Sequence, residues 1–359
     1  MPAYKEGNGT WTARVYYTNF YGERKQKNKR GFSTKREALE FEREFLSKCM
    51  FSVSMSFKSL YEMYMEDLSH RLRLNTVLTK KTLIELKLLP FFGKMSIDKI
   101  TPVVIRKWQN NLMTTINPSS GSVYSQTYIK TINNQLVAIF NYAIKFHNLK
   151  ENPCHKAGSI GKKQGSEMLI WTVDEFYSFI SFLKHKPIDY TGFNILFWCG
   201  IRIGELLALT VGDINFEKGT INIDKSYQRI KGEDVITEPK TPKSIRVVEM
   251  PPQLIEIIKE YITKMFKPKM DSRLFNCTKY TFEHSMKHYS AKANVKRIRI
   301  HDLRHSHASL LIHLGISPIA VSRRLGHEKV ETTLNTYSHL YPSTNSDMII
   351  SLDELKKDL

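Results

Sequence analysis

His301-Asp302-Leu303-Arg304-His305-Ser306-His307-Ala308, then Leu325-Gly326-His327, then Glu328-Lys329-Val330-Glu331-Thr332-Thr333-Leu334-Asn335-Thr336 and Tyr337, is the stretch on which the reading of this chain turns. His301 and Arg304 stand three residues apart, a spacing that puts both on one face of one helix. A related string lies upstream: Cys199-Gly200-Ile201-Arg202-Ile203-Gly204-Glu205-Leu206-Leu207-Ala208-Leu209. Two arginines, two histidines and a tyrosine thus sit in strings that suit one chemistry.

Together they look like a phosphodiester-cleaving site, and phosphoryl transfer needs a dianion-like transition state neutralised, an in-line nucleophile and a proton for the departing oxygen. No single residue type supplies all three. Arg202 and Arg304 carry planar forks able to grip two non-bridging oxygens bidentately, in place of a metal. On its own, a tyrosine in Thr336-Tyr337-Ser338-His339 reads as an ordinary surface or core residue, and Tyr341, before Pro342, competes with it. His301 and His305 are four residues apart and could be two metal ligands on a helix face, but no Glu lies between them as in a zincin, and no metal is expected. His305, His307 and His313 read as packing and hydrogen-bonding residues.

Composition sets the background. Lys+Arg number 54 and Asp+Glu 35, a formal net charge of +19, and the natural partner is a polyanion. The four cysteines, Cys49, Cys154, Cys199 and Cys277, form no Cys-x-x-Cys pair, so neither a zinc ribbon nor a secreted disulfide framework is indicated and reduced cytosolic thiols fit. No apolar run reaches the ~18 residues of a membrane span. A cytoplasmic protein is the expectation.

The chain reads as multidomain, mainly α with small antiparallel sheets. Residues 1–48 form a sheet-and-helix module: Trp11, Ala13, Val15 and Tyr17 alternate with polar partners, Asn19-Phe20-Tyr21-Gly22 turns, and a basic strand runs to Gly31-Phe32. A three-stranded sheet is expected there, backed by a helix that starts at the capping box of Thr34 and Glu37. A face carrying Arg14, Tyr16, Lys25 and Lys27 would lie on a DNA groove. Helical periodicity over 57–73, 79–89, 101–113 and 125–146 predicts a bundle within 55–150, with Ile132, Leu136 and Ile139 in its core. Residues 151–167, with Gly158, Gly161, Lys162, Lys163 and Gly165, read as a basic linker that crosses phosphates. Residues 168–341 combine helices with a short antiparallel sheet over 220–224, 234–238 and 246–249. The tail, 342–359, has apolar residues at helical spacing and is expected to pack on its own subunit or in trans.

Arg202, His301, Arg304, His327 and Tyr337, in that order, resemble the tyrosine recombinases, the integrase family of phages and conjugative or transposable elements. The resemblance spans essentially the whole chain and is strongest over 168–341, where every catalytic position of the family pattern is filled. It implies an α+β catalytic domain there, a helical core-binding domain over 55–150, and in residues 1–48 an arm-type DNA-binding domain similar to those of lambda-type integrases. It also implies roles. Tyr337, ten residues after His327, is the nucleophile that leaves a 3′-phosphotyrosine and a free 5′-hydroxyl. Arg202 and Arg304 hold the phosphate, and Glu205 steadies Arg202. His301 assists proton transfer or holds the phosphate, and His327 donates to a phosphate oxygen. Lys240, in Glu238-Pro239-Lys240-Thr241-Pro242-Lys243, matches the lysine that protonates the leaving oxygen, with Lys243 as second choice or phosphate anchor.

The activity so implied is site-specific recombination that integrates or excises a mobile element, without cofactor, in a bacterial host and at its nucleoid. The partners implied are double-stranded attachment sites of core and arm type, a homotetramer on DNA passing through a Holliday junction, and a DNA-bending accessory factor or excisionase. Two alternatives share features with it: a type IB topoisomerase, against which a separate N-terminal reader argues, and a non-catalytic DNA-binding regulator, against which an intact nucleophile and both arginines argue.

Overall fold

The computed structural model describes residues 3–7, 9–18, 24–51, 55–163, 168–239 and 241–337. It divides into two compact units, Met1–Ser166 and Glu167–Leu359.

The first unit opens with strands β1 (Ala3–Lys5), β2 (Trp11–Thr18) and β3 (Arg24–Phe32), paired antiparallel in that order, and helix α1 (Lys35–Phe51). Thr34 caps the helix by accepting from the Glu37 N–H at 3.2 Å, while the Glu37 carboxylate accepts from the N–H of Ser33 at 3.0 Å, one residue before the position a capping box would use. The expected turn at Asn19-Phe20-Tyr21-Gly22 lies outside the described residues. The register corrects the basic face predicted for this sheet. Arg14 pairs with Asn28 and Tyr16 with Gln26, whereas Val15 pairs with Lys27 and Tyr17 with Lys25. Directly opposed residues point to the same side of a sheet and neighbours to opposite sides. Arg14 and Tyr16 therefore share a face with Gln26 and Asn28, and Lys25 and Lys27 stand on the other, which carries the buried Ala13 and Val15.

The helical part comprises α2 (Phe57–Ser69), α3 (Leu74–Lys87), α4 (Leu89–Phe92), α5 (Pro102–Thr114), α6 (Gln126–His147) and α7 (Pro153–Ala157). Ser56, Thr101, Ser125 and Asn152 cap helices by accepting backbone N–H bonds, and Pro102 follows its cap as an N1 proline. Ile132, Leu136, Ile139 and Phe140 of α6 are buried with Phe57, Phe92 and Ile105. Residues 151–163 do not behave as the predicted linker. Cys154 and Ala157 of α7 belong to this core, and the Lys162 N–H donates to the Gln126 carbonyl at 3.2 Å. The glycines and lysines hid a five-residue helix with two small inward residues, too short for a periodicity to reveal.

The second unit contains α8 (Val173–Ser181), α9 (Pro187–Cys199), α10 (Ile203–Ala208), strands β4 (Ile214–Asn215), β5 (Thr220–Ile223), β6 (Ser226–Ile230), β7 (Glu233–Thr237) and β8 (Arg246–Glu249), then α11 (Pro252–Thr263), α12 (Lys279–Lys292), α13 (Ile300–His313), α14 (Pro318–Leu325) and α15 (Val330–Tyr337). One core joins α8, α9, α11 and α12 to the sheet through Phe176, Phe193, Phe197, Ile221, Val248, Leu254 and Phe282. The predicted single sheet is instead two: β4-β5-β8, and a separate β6-β7 hairpin. Lys231 and Gly232, at φ 51 and 90, give the two positive φ values of a tight hairpin turn, so the segment over 233–237 folds back on 226–230 and leaves β8 to pair with β5.

Candidate active site

The geometry of the site begins at a helix end. Gly200 closes α9 in the left-handed conformation, φ 63, and a Cβ there would lie 2.4 Å from the His307 ring. The turn sets Arg202 at the head of α10, and one turn on, Glu205 points back at it. The Glu205 carboxylate accepts from the Arg202 backbone N–H at 2.9 Å and from its guanidinium at 2.6 Å. Arg202 keeps 37 % of its side-chain surface open, whereas Glu205 is buried.

A second arginine holds the same carboxylate. Arg246, at the start of β8 and 7 % exposed, donates to both Glu205 oxygens at 3.2 and 2.8 Å, to the Ser244 carbonyl at 3.0 Å and to the Arg324 carbonyl at 2.9 Å. Burial alone would raise the Glu205 pKa, but Arg246 and then Arg202 outweigh it and bring the carboxyl down to about 2. Arg246 was not singled out from the sequence. The signal in the sequence is its place two residues before buried Val248 on the same strand face, since a charged residue at an inward strand position requires a partner.

Arg304 lies on the buried side of α13. Its guanidinium donates to the Gly200 carbonyl at 2.9 Å and the Leu325 carbonyl at 2.6 Å, which fixes the fork between the end of α9 and the end of α14. Burial first, and then Arg202, lower its pKa to about 9, with Glu205 and Tyr337 opposing, so it remains a cation at neutral pH. Gly326, φ 69, ends α14 and places His327 where its Nδ1 meets the Thr333 hydroxyl at 2.8 Å. Burial, then Arg304 and Arg202, push the His327 pKa down to about 4, and the ring is neutral. His301 is exposed on its α13 face. Partial desolvation and then the neighbouring His305, Arg304 and Arg202 lower its pKa as well.

Tyr337, at the end of α15, is 2 % exposed, and its hydroxyl meets His305 Nδ1 at 2.5 Å. Burial raises the phenol pKa to about 12, against the pull of Arg304. His305, expected from the sequence to pack and hydrogen-bond, thus has the tyrosine as its partner, which nothing but the fold could reveal. His307 does pack: its Nε2 accepts from Arg324 at 3.0 Å, and Arg324 also donates to the Trp198 and Glu249 carbonyls. His313 is exposed at the end of α13.

The structure therefore brings Arg202, Glu205, His301, Arg304, His327 and Tyr337 within electrostatic reach of one another. Lys240 lies outside the described residues. Lys243 is exposed and donates to the Glu328 carbonyl at 2.9 Å, directly after His327. Lys162 and Lys163 are exposed in the first unit, as are Tyr16, Lys25 and Lys27, while Arg14 is half-buried. Among the described residues no three His, Cys, Asp or Glu side chains gather as a metal site, and no helix is long and apolar enough to cross a membrane. Such a pocket, with fixed cationic forks, neutral imidazoles and a phenol, can bind a phosphodiester and exchange one of its oxygens.

Comparison with known proteins agrees with this chemistry. The profile of the Phage integrase family matches residues 171–344, that of the phage integrase N-terminal SAM-like domain residues 56–113, and that of the Arm DNA-binding domain residues 2–49. The chain is 32% identical over 342 residues to the ICEBs1 integrase of Bacillus subtilis (strain 168), covering 90% of this chain and 91% of that protein. It is 28% identical over 292 residues to a XerC-like tyrosine recombinase of Caldanaerobacter subterraneus subsp. tengcongensis, covering 73% of each. Among solved structures, the Tn1549 transposon integrase in complex with a circular intermediate DNA has the same fold, with TM-score 0.70 and 23% identity over 84% of this chain and 100% of that one. Similarity to a Bacillus integrase along nearly its whole length, joined to the arginine, histidine and tyrosine strings around this pocket, makes the chain a member of the phage integrase family, a tyrosine site-specific recombinase acting on DNA.

Proposed function

We propose that this recombinase integrates and excises a mobile element by attacking its attachment sites with Tyr337, and that Arg202 and Arg304 supply the charge that makes the attack feasible. In this reading the two guanidinium forks take the non-bridging oxygens of the scissile phosphate. His327 donates to one of them, and His301 lies at the open edge of the pocket to hold the phosphate or assist proton transfer. Removing one such donor from a dry, preorganised site costs ~2.7–4 kcal/mol of barrier. Lys240 protonates the departing 5′-oxygen. The phosphotyrosine keeps the bond energy for rejoining, so neither water nor nucleotide is consumed.

The observation that carries the proposal is the setting of Arg304, a buried cation pinned by two carbonyls and placed in electrostatic reach of Arg202, Glu205 and Tyr337. A structural arginine at this depth would be expected to sit on a carboxylate. Among the described residues the hydrogen bonds of Arg304 go to backbone oxygens, which leaves its charge available to an incoming anion.

The same reading assigns the sheet of residues 1–48 to an arm-type sequence. Its reading face is Arg14, Tyr16, Gln26 and Asn28; arginine, glutamine and asparagine are the side chains that pair bidentately with base edges. Lys25 and Lys27, on the opposite face, together with Lys162, Lys163 and Lys243, serve phosphates. Exchange between two duplexes requires four strand cleavages and hence four tyrosines, so the working form is a homotetramer on DNA, with a DNA-bending factor or excisionase biasing direction.

A nicked suicide substrate tests the proposal, because loss of the short fragment after cleavage traps the covalent intermediate. Wild-type protein is expected to give a denaturant-resistant protein–DNA adduct and, with two intact duplexes, strand exchange. Relaxation without exchange would favour the topoisomerase alternative; binding with no adduct would favour a DNA-binding regulator.

A further inference from the structure

The attack by Tyr337 needs an acceptor for the phenolic proton, because burial has raised that phenol far above neutrality. Three groups could be considered at this end of the pocket: His301, His305 and His327. His327 directs its Nδ1 at Thr333, not at the tyrosine. His301 sits edge-on to His305, ring centroids 5.0 Å apart and planes at 90°, and makes its contact with that ring. Among the described residues the hydrogen-bond partner of the Tyr337 hydroxyl is His305, through Nδ1, with ring centroids 5.7 Å apart.

We propose that His305 is the general base of strand cleavage, its Nδ1 taking the proton of Tyr337 as the phenolic oxygen bonds to phosphorus. This rests on the reading of Tyr337 as nucleophile and deepens it. The Oη–P bond forms, the bond from phosphorus to the 5′-oxygen breaks, the phenolic proton moves to His305 Nδ1, and the general acid, proposed as Lys240, protonates the 5′-oxygen. On rejoining, the 5′-hydroxyl attacks phosphorus and gives its proton back to the now neutral Lys240, the Oη–P bond breaks, and the His305 imidazolium returns its proton to the leaving tyrosine, as microscopic reversibility requires.

Two features of the surroundings suit the role. Among the described residues the groups facing His305 are Tyr337 from α15, His327 from the turn after α14, and His301, Asp302, Arg304 and Arg299 from α13 and the residue before it. Burial is the leading influence and lowers the His305 pKa, Asp302 opposes it, and Arg304 and Arg299 add to it, so the imidazole is neutral at pH 7 and has a lone pair to offer. The position is also held in register. His305 follows Arg304 on α13, so the helix that fixes the phosphate-binding fork fixes the base, and any shift of one moves the other.

The test is single-turnover cleavage of a suicide substrate by the full chain, as wild type, His305→Ala, His305→Gln and Tyr337→Phe, with DNA affinity measured for each. General-base catalysis contributes ~10²–10⁴-fold, and both His305 variants are expected to fall by about that factor at pH 7 with DNA affinity kept. Glutamine can hold the hydroxyl but cannot carry its proton away. The His305→Ala defect should shrink by about tenfold per pH unit from pH 6.5 to 9, as free phenolate replaces the assisted phenol. Wild-type cleavage by His305→Gln, or a His305→Ala defect of the same size at every pH, would overturn the assignment. Adduct formation by Tyr337→Phe would instead overturn the nucleophile itself, so the two failures are distinguishable.

Discussion

Arg246 clamps Glu205 with two hydrogen bonds, 3.2 and 2.8 Å, across 41 residues of sequence. The pairing joins the strand that follows Lys240 to the helix headed by Arg202. Because Arg246 also reaches the Arg324 carbonyl, the segment leading to His327 is tied to the same point. Replacing one member of a buried ion pair costs ~3–5 kcal/mol, since the other is left unpaired. Arg246→Ala is therefore expected to lower the melting temperature by roughly 10 °C and to abolish measurable adduct formation. Arg246→Lys, which keeps the charge without the fork, should be intermediate in both. Thermal melting and suicide-substrate cleavage check this; an Arg246→Ala protein that melts and cleaves like wild type would remove the clamp from the account.

Glu205 makes the clamp sensitive to acid. Its pKa is depressed from 4.5 to about 2 in the folded chain, so its contribution is fully present above the unfolded value and is lost as pH falls from about 4.5 through 2. Integrated over that interval the linkage amounts to about 3 kcal/mol. Glu205→Gln should be less stable than wild type at pH 7 and should lose less further stability between pH 4.5 and 2, as measured by denaturant unfolding across that range. Parallel pH curves for the two proteins would contradict the depressed pKa.

Gly326 sits at φ 69, and a Cβ there would come within 3.0 Å of the Arg246 side chain and 3.2 Å of the Lys243 carbonyl. Left-handed backbone costs a non-glycine residue ~1–2 kcal/mol, and here the backbone oxygen cannot move aside cheaply. Gly326→Ala is expected to lose about that much stability and to cleave more slowly than the stability loss explains, because both His327 and Arg246 are displaced. Normal cleavage by a modestly destabilised variant would count against it.

What the sequence disclosed and what it withheld have physical explanations. Arg202, His301, Arg304, His327 and Tyr337 can be singled out without the fold because each stands in a short local string, and the i, i+3 spacing of His301 and Arg304 puts those two on one face of α13. The long helices of the bundle were legible for the same reason, from the period of Ile132, Leu136 and Ile139. Contacts between distant segments were not. Arg246 with Glu205 and His305 with Tyr337 depend on how strands and helices pack, and no local pattern encodes that. The strand over 233–237 is visible in the sequence, but its neighbour depends on the positive-φ turn at Lys231-Gly232, which pairs it with 226–230. The mixed face of residues 1–48 failed for a simpler reason: Arg14 and Tyr16 lie on one strand and Lys25 and Lys27 on another, and only the register decides which of them coincide.

That register makes the two faces of the N-terminal sheet separable by experiment. Arg14→Ala with Gln26→Ala should relax discrimination between arm-type and unrelated DNA, whereas Lys25→Ala with Lys27→Ala should weaken binding to both alike and flatten the salt dependence. Deleting residues 1–48 should leave core-site cleavage measurable and greatly reduce integration between full attachment sites, since the tethered second module supplies effective concentration. Binding titrations at stated salt and an integration assay decide it; full-site integration undiminished in the truncated protein would refute the arm-binding role.

The central claim, that Tyr337 carries the DNA between cleavage and rejoining, is tested most directly by digesting the trapped covalent adduct with protease and nuclease and locating the nucleotide by mass spectrometry. The expected product is a nucleotide joined through its 3′-phosphate to Tyr337, with Tyr337→Phe giving no adduct at unchanged DNA affinity. A nucleotide found on Tyr341 or any other side chain, or an adduct formed by Tyr337→Phe, would contradict it.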